Sequence, residues 1–199
     1  MGVESVKGSL VLGAVVSVRR LRNGGKVSAE SLEARLSAEA LGLIDQKIEI
    51  SRWYPIAPFC ELIDLDWEIS GAREPAYLEN QGIAAADRLF DSKIYQQLDF
   101  AERSGKVESR EKLVRQSRLI TTITGTLYDF LTFEVDLGPN SLEIVFGNAG
   151  AFSDALLHTT VGFMNRINER QGSKRRWTGW RESADRARFS MKLPSRFTG

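Results

Sequence analysis

The chain has 199 residues, 42% hydrophobic and 27% charged, and its 27 Lys and Arg against 26 Asp and Glu leave a formal net charge of +1. That balance fits a globular domain with its own core and excludes a bulk electrostatic drive toward nucleic acid or membrane. The lone cysteine, Cys60, excludes an intramolecular disulfide and a cysteine-built metal cluster; with no metal site expected and a reducing compartment indicated, the expected location is the cytoplasm.

The first apolar run, Leu10 to Val18, is interrupted by Gly13 and Ser17, and Arg19, Arg20 and Arg22 follow it. A secretory signal carries its positive charge first, so this segment is read as a buried helix ending at Gly24-Gly25. Nowhere is there an apolar stretch of membrane-spanning length. Ser28 predicts the cap of a short helix through Arg35, and Ser37 starts another toward Ile44. In Ser51-Arg-Trp-Tyr-Pro55 the proline forces Tyr54 to be extended and opens a helix. Ile56, Phe59, Cys60, Ile63 and Trp67 follow at helical spacing, and Ser70-Gly71 closes it.

Pro75 opens the next helix, whose buried face is predicted as Leu78, Gly82, Ala85, Ala86 and Leu89. Small residues there let a second helix approach closely. A shorter helix is predicted over 92–104, with Tyr95 and Leu98 inward, then a long one over 108–126 with Leu113, Ile120, Ile123 and Leu127 in register.

The period then changes. Leu131, Phe133, Val135 and Leu137 alternate with polar residues, Gly138-Pro139-Asn140 turns the chain, and Leu142, Ile144 and Phe146 alternate again, which predicts a hairpin with one buried face. After Gly147 to Gly150, Phe152, Leu156, Thr160, Phe163 and Ile167 form a helical stripe widened by Leu157, Val161 and Met164. Strands are predicted over 174–181 and 186–193. The expected fold is therefore α+β. A helical part (1–127) packs with a ββαββ antiparallel sheet (128–193), a tail follows (194–199), and the whole is one domain over 1–199.

This order of elements, with Trp53-Tyr54-Pro55 opening a helix, a small-residue helix around Gly82, a long helix and a ββαββ unit, resembles a known superfamily. It contains bacterial haem–nitric-oxide-binding domains, four-vinyl-reductase-type small-molecule-binding domains and Golgi transport subunits. Within it the chain is most similar to an uncharacterised family abundant in myxobacteria, on Trp53 to Cys60 and the run from Phe152 to Leu193. The resemblance implies the fold and a small apolar ligand. The small-molecule-binding members often carry Gly-Asp and a cysteine in the last turn and strand, where this chain reads Ala184-Asp185-Arg186-Ala187-Arg188. The haem-binding members use a histidine from the helical part, a place that no residue matches here, so no cofactor is expected.

The only histidine, His158, falls on the late helix, where a structural or surface role is expected. Cys60 lies past the first turn of its helix, too far along for the dipole to activate a thiolate, and is expected to be buried and inert. Asp64 with Glu68, and Glu134 with Asp136, share faces but lack a neighbouring base or nucleophile, and read as solvated. Gly147 to Gly150 lacks the Lys-Ser/Thr of a phosphate loop.

From Arg166 to the end, ten cations stand against Glu169, Glu182 and Asp185, a stretch of about +7. Trp177 and Trp180, three apart on one strand, point to opposite faces. Arg175, Arg176, Trp177, Trp180, Arg181 and Arg188 are the candidate partner surface, and Trp53, Tyr54, Phe59 and Trp67 the candidate pocket or core aromatics. The expected function is a non-enzymatic ligand- or protein-binding regulatory module with a protein partner or a second copy. The alternatives are nucleic-acid binding through the basic sheet and an enzyme with an unrecognised site.

Overall fold

A computed structural model describes residues 2–91 and 110–193; the expected helix over 92–104 and the tail lie outside that range. In chain order the elements are β1 (Ser5–Lys7), α1 (Gly8–Asn23), α2 (Ala29–Arg35), α3 (Ala38–Asp45), β2 (Trp53–Pro55), α4 (Ile56–Gly71), α5 (Pro75–Asp91), α6 (Arg110–Leu127), β3 (Thr132–Leu137), β4 (Ser141–Gly147), α7 (Asp154–Arg170), β5 (Trp177–Ser183) and β6 (Arg186–Lys192). The class is α+β: a helical N-terminal part, then a four-stranded antiparallel sheet in the order β3-β4-β6-β5. No described helix is long and apolar enough to cross a membrane.

The hydroxyls of Ser28, Ser37 and Ser153 accept the backbone N–H groups of Ser31, Ala40 and Leu156, which caps α2, α3 and α7. Pro55 acts one step earlier than the sequence suggests. It ends β2, which pairs antiparallel with β1 (Val6 opposite Tyr54), and caps α4. This small ribbon is invisible to periodicity because each strand is three residues long. It is tied to the end of α6 by a Val6–Tyr128 bridge and by the Ser5 N–H, which donates to the Asp129 carboxylate at 2.7 Å.

Helix α4 is covered from several sides, so its buried row is wider than the expected stripe. Ile56, Phe59, Leu62, Leu65 and Asp66 are buried, while Cys60, Ile63 and Trp67 are half-buried at the margin. Asp66 is a polar knot: it accepts from Ser17 Oγ (2.8 Å), Ser70 Oγ (2.8 Å) and Tyr77 Oη (2.9 Å), which joins α1, α4 and the start of α5. In α5 the row Leu78, Gly82, Ala86 continues to Phe90, one residue past the expected Leu89.

In the sheet, Leu142, Ile144 and Phe146 of β4 are fully buried opposite Met191, Phe189 and Ala187 of β6. Phe146 contacts Phe133, Phe152 and Phe189 with centroid separations of 5.0, 5.6 and 4.7 Å. One hydrophobic cluster runs from Val6 in the helical part to Leu193 after the sheet. The expected burial of β3 fails at its centre: Val135 is 40% exposed. β3 is an edge strand, and α7 packs toward β5 at the opposite edge.

Helices α5 and α7 approach through glycine on both sides. A Cβ on Gly82 would lie 1.9 Å from the Thr159 carbonyl oxygen, and one on Gly162 would lie 1.9 Å from that of Glu79. The two backbones are therefore in direct contact. Arg166 and Arg170 of α7 pair with Asp87 of α5 at 2.8 and 2.9 Å, and the Arg170 guanidinium lies 4.9 Å from the Phe90 ring.

Candidate functional site

The four candidate aromatics differ in burial: two are core, one is half-buried and one is exposed. Phe59 and Tyr54 are core, and the Tyr54 hydroxyl accepts the Glu49 N–H at 2.9 Å. Trp53 is exposed on the ribbon with the Lys7 ammonium 4.0 Å from its ring. Trp67 is half-buried, donates through Nε1 to the Glu74 carbonyl at 3.0 Å, and stands 5.7 Å from the His158 ring.

The basic C-terminal surface is reorganised by strand pairing. Trp177 is buried and faces α7, whereas Trp180 is 43% exposed on the outer face. Register places Trp180 beside Arg188, and Arg188 beside Val145 of β4. Arg188 pairs with Glu143 and Glu182, and Arg186 with Glu134 (3.0 Å) and Glu182 (3.3 Å). The Arg188 guanidinium, hydrogen-bonded to Glu182 and helped by Arg186, holds the Glu182 carboxyl below the usual range, and the two arginines are raised in turn. Arg181 is turned inward, donating to the carbonyls of Ala149 and Phe152. The outer face is thus a lattice of opposite charges. A count along the sequence misses Glu134 and Glu143, which reach the arginines only across strands. Arg175 is half-buried and Arg176 exposed at the foot of β5.

Arg176 instead belongs to a cleft of about 570 Å³ where α5, α7 and β5 meet. Glu79, Asn80 and Ile83 line it from α5, at the spacing of one helical face, and His158, Val161 and Asn165 do so from α7. Arg176, Trp177 and Gly179 form the β5 wall. The Asn165 carboxamide accepts the Trp177 N–H at 2.7 Å and donates to the Trp177 carbonyl at 3.3 Å, which fixes the start of the strand on the helix. Gly179 is required by packing: a Cβ there would be 2.9 Å from Phe189 and Val161 side-chain atoms. The buried Trp177 Nε1–H has no hydrogen-bond acceptor among the described residues. Sequence reasoning singled out His158, Arg176 and Trp177 separately but had no means of joining them. The missed residues are Glu79, Asn80, Ile83 and Asn165.

Cys60 is a half-buried free thiol. Burial is the main cause that pushes its thiol up to about 11, and Sγ points at the Ala151 carbonyl at 3.7 Å. Burial also drives the nearby Tyr128 hydroxyl well above its ordinary range, so it stays protonated.

No family model matches the chain, and no curated protein matches it. Solved structures do. The Fe(II) unliganded H-NOX protein of K. algicida superposes with a TM-score of 0.61 at 15% identity, over 97% of this chain and all of that one. An H-NOX of T. tengcongensis gives 0.52 at 13% identity, over 94% of this chain and 96% of that one. A Cs H-NOX gives 0.52 at 13%, over 94% and 95%. The chain has the fold of the H-NOX domains.

The donors present do not fit the iron centre that this fold implies. A haem iron is held by a His imidazole or a Cys thiolate in many proteins, and by Met or Tyr in others. The sole histidine lines the solvent-open cleft beside Asn165 and Arg176, and the sole cysteine is held as a thiol. The described inner face of α6 carries Leu113, Gln116, Ser117, Ile120, Ile123 and Thr124, and Gln116 hydrogen-bonds Asn168 of α7. Among the described residues no group of three His, Cys, Asp or Glu side chains could hold a metal ion.

Proposed function

We propose that this chain is a non-enzymatic, ligand-binding regulatory module on the H-NOX fold, one whose ligand is a small organic molecule rather than haem. The observation that carries this reading is the α5–α7–β5 cleft. At about 570 Å³ it falls in the size range of small-molecule sites, with apolar Ile83 and Val161 beside a few polar groups. Fold alone assigns no function, but a sensor fold whose sole histidine lies in a polar cleft has lost the usual reason to bind iron and kept a place for something else. Cys60, whose thiol burial pushes up to about 11, gives little support to a nucleophilic enzyme. The signal would pass to a protein partner, or a second copy, at the exposed Trp180 or Trp53, in a cytoplasmic setting.

Two measurements on the purified full chain test the reading together. Native mass spectrometry is expected to show a bound small molecule, and reconstitution with haemin is expected to give no Soret band stoichiometric with protein. A stoichiometric Soret band overturns the haem-free reading.

A further inference from the structure

Glu79 and Arg176 carry opposite charges on opposite walls of one cleft, and neither is ion-paired with the other or with any other described residue. On the outer face of the sheet and further along the α5–α7 contact charges are paired: Arg186 and Arg188 are each matched to two carboxylates, and Asp87 to two arginines. Both unpaired groups stand on rigid supports. Glu79 is fixed where its own carbonyl touches Gly162 of α7. Arg176 precedes Trp177, whose N–H and C=O are both held by Asn165. The same cleft is lined by the apolar side chains of Ile83 and Val161, by Asn80, and by His158, whose ring also stands 5.7 Å from that of Trp67. Two opposite charges on fixed backbone, in one cleft with apolar side chains, are complementary to a molecule that carries both charges and an apolar group itself.

We propose that the cleft takes a small zwitterion of the α-amino-acid type with an apolar side chain: its carboxylate on the Arg176 guanidinium, its ammonium on the Glu79 carboxylate, and its side chain against Ile83 and Val161. The inference rests on the ligand-binding reading above and names the class of ligand. Each charge contributes a charge-assisted hydrogen bond that a one-charge analogue cannot make, and the analogue leaves one protein charge unmatched.

The test is calorimetric titration of the full chain with L-leucine and L-phenylalanine, and with two one-charge relatives of the latter, 3-phenylpropionate and phenethylamine. At least one amino acid is expected to bind, with both relatives of phenylalanine weaker than it by roughly tenfold or more. Arg176→Ala is expected to abolish the preference over phenethylamine and keep that over 3-phenylpropionate; Glu79→Gln is expected to do the reverse. These are ratios within one variant, so partial loss of folding cancels. The proposal is overturned if 3-phenylpropionate binds as tightly as phenylalanine, or if neither amino acid binds more tightly than ~10 mM. Binding of the acid alone would end the zwitterion and leave the ligand-binding module standing. A co-purified ligand whose retention ignores both substitutions would remove the cleft itself.

Discussion

Helix α7 meets its two neighbours by opposite means. Toward the sheet it presents side chains: Val161 against Gly179, Asn165 on the Trp177 backbone, Asn168 on the Met191 sulfur. Toward α5 it presents Gly162, and α5 answers with Gly82, so that carbonyl oxygens sit where side chains would. Side chains can shift by a rotamer; a backbone in contact with a backbone has nothing to give. The face with least tolerance is also the one that positions Glu79, so rigidity and the candidate site coincide.

The largest expected effect comes from breaking the tight contact. Gly82→Ala or Gly162→Ala is expected to cost ~3 kcal/mol, the upper end of overpacking, because the new methyl meets main chain. The double variant is expected to cost less than the sum, since one methyl already parts the helices. Gly42→Ala is the control. It lies within α3 with nothing within 4 Å of a new Cβ, and it is expected to gain ~0.5–1 kcal/mol from helix propensity. On the sheet side, Ile144→Val is expected to cost only ~0.5–1.5 kcal/mol despite full burial. Urea melts read all of these, and equal costs on the two faces would contradict the contrast.

The smallest effect concerns the ion pairs at the far end of the α5–α7 contact. The Arg166 guanidinium, followed by that of Arg170, holds the Asp87 carboxyl below its ordinary range. A depressed folded pKa gives stability that is fully present above the unfolded value of ~4 and is lost as pH falls through the folded value. Asp87→Asn is expected to flatten this part of the acid limb of stability against pH. An unchanged limb would show that these half-exposed pairs contribute nothing.

Much of the fold is written in short-range pattern. The alternation at Leu142, Ile144 and Phe146, the stripe of α7 and the small residues around Gly82 are each signals within one element, and each element appears where expected. The ribbon β1–β2 leaves no such signal, since three residues cannot show a period and its partners are almost fifty residues apart. The charge pattern is incomplete in sequence for the same reason: Arg186 finds Glu134 at a separation of 52 residues and Arg188 finds Glu143 at 45. The cleft was illegible because its walls, at Glu79, His158 and Arg176, belong to three elements whose meeting is a property of the tertiary fold. What marks it in three dimensions is that Glu79 and Arg176, neither ion-paired among the described residues, line one cleft with Ile83 and Val161.

The most direct test of the central claim is a ¹H–¹⁵N correlation spectrum of the labelled chain, titrated with L-phenylalanine. Saturable shifts confined to Glu79, Asn80, His158, Asn165, Arg176 and Gly179 are the predicted result. Shifts spread over the exposed Trp53 and Trp180 surfaces with the cleft resonances unmoved, or no saturable shift at all, would contradict it.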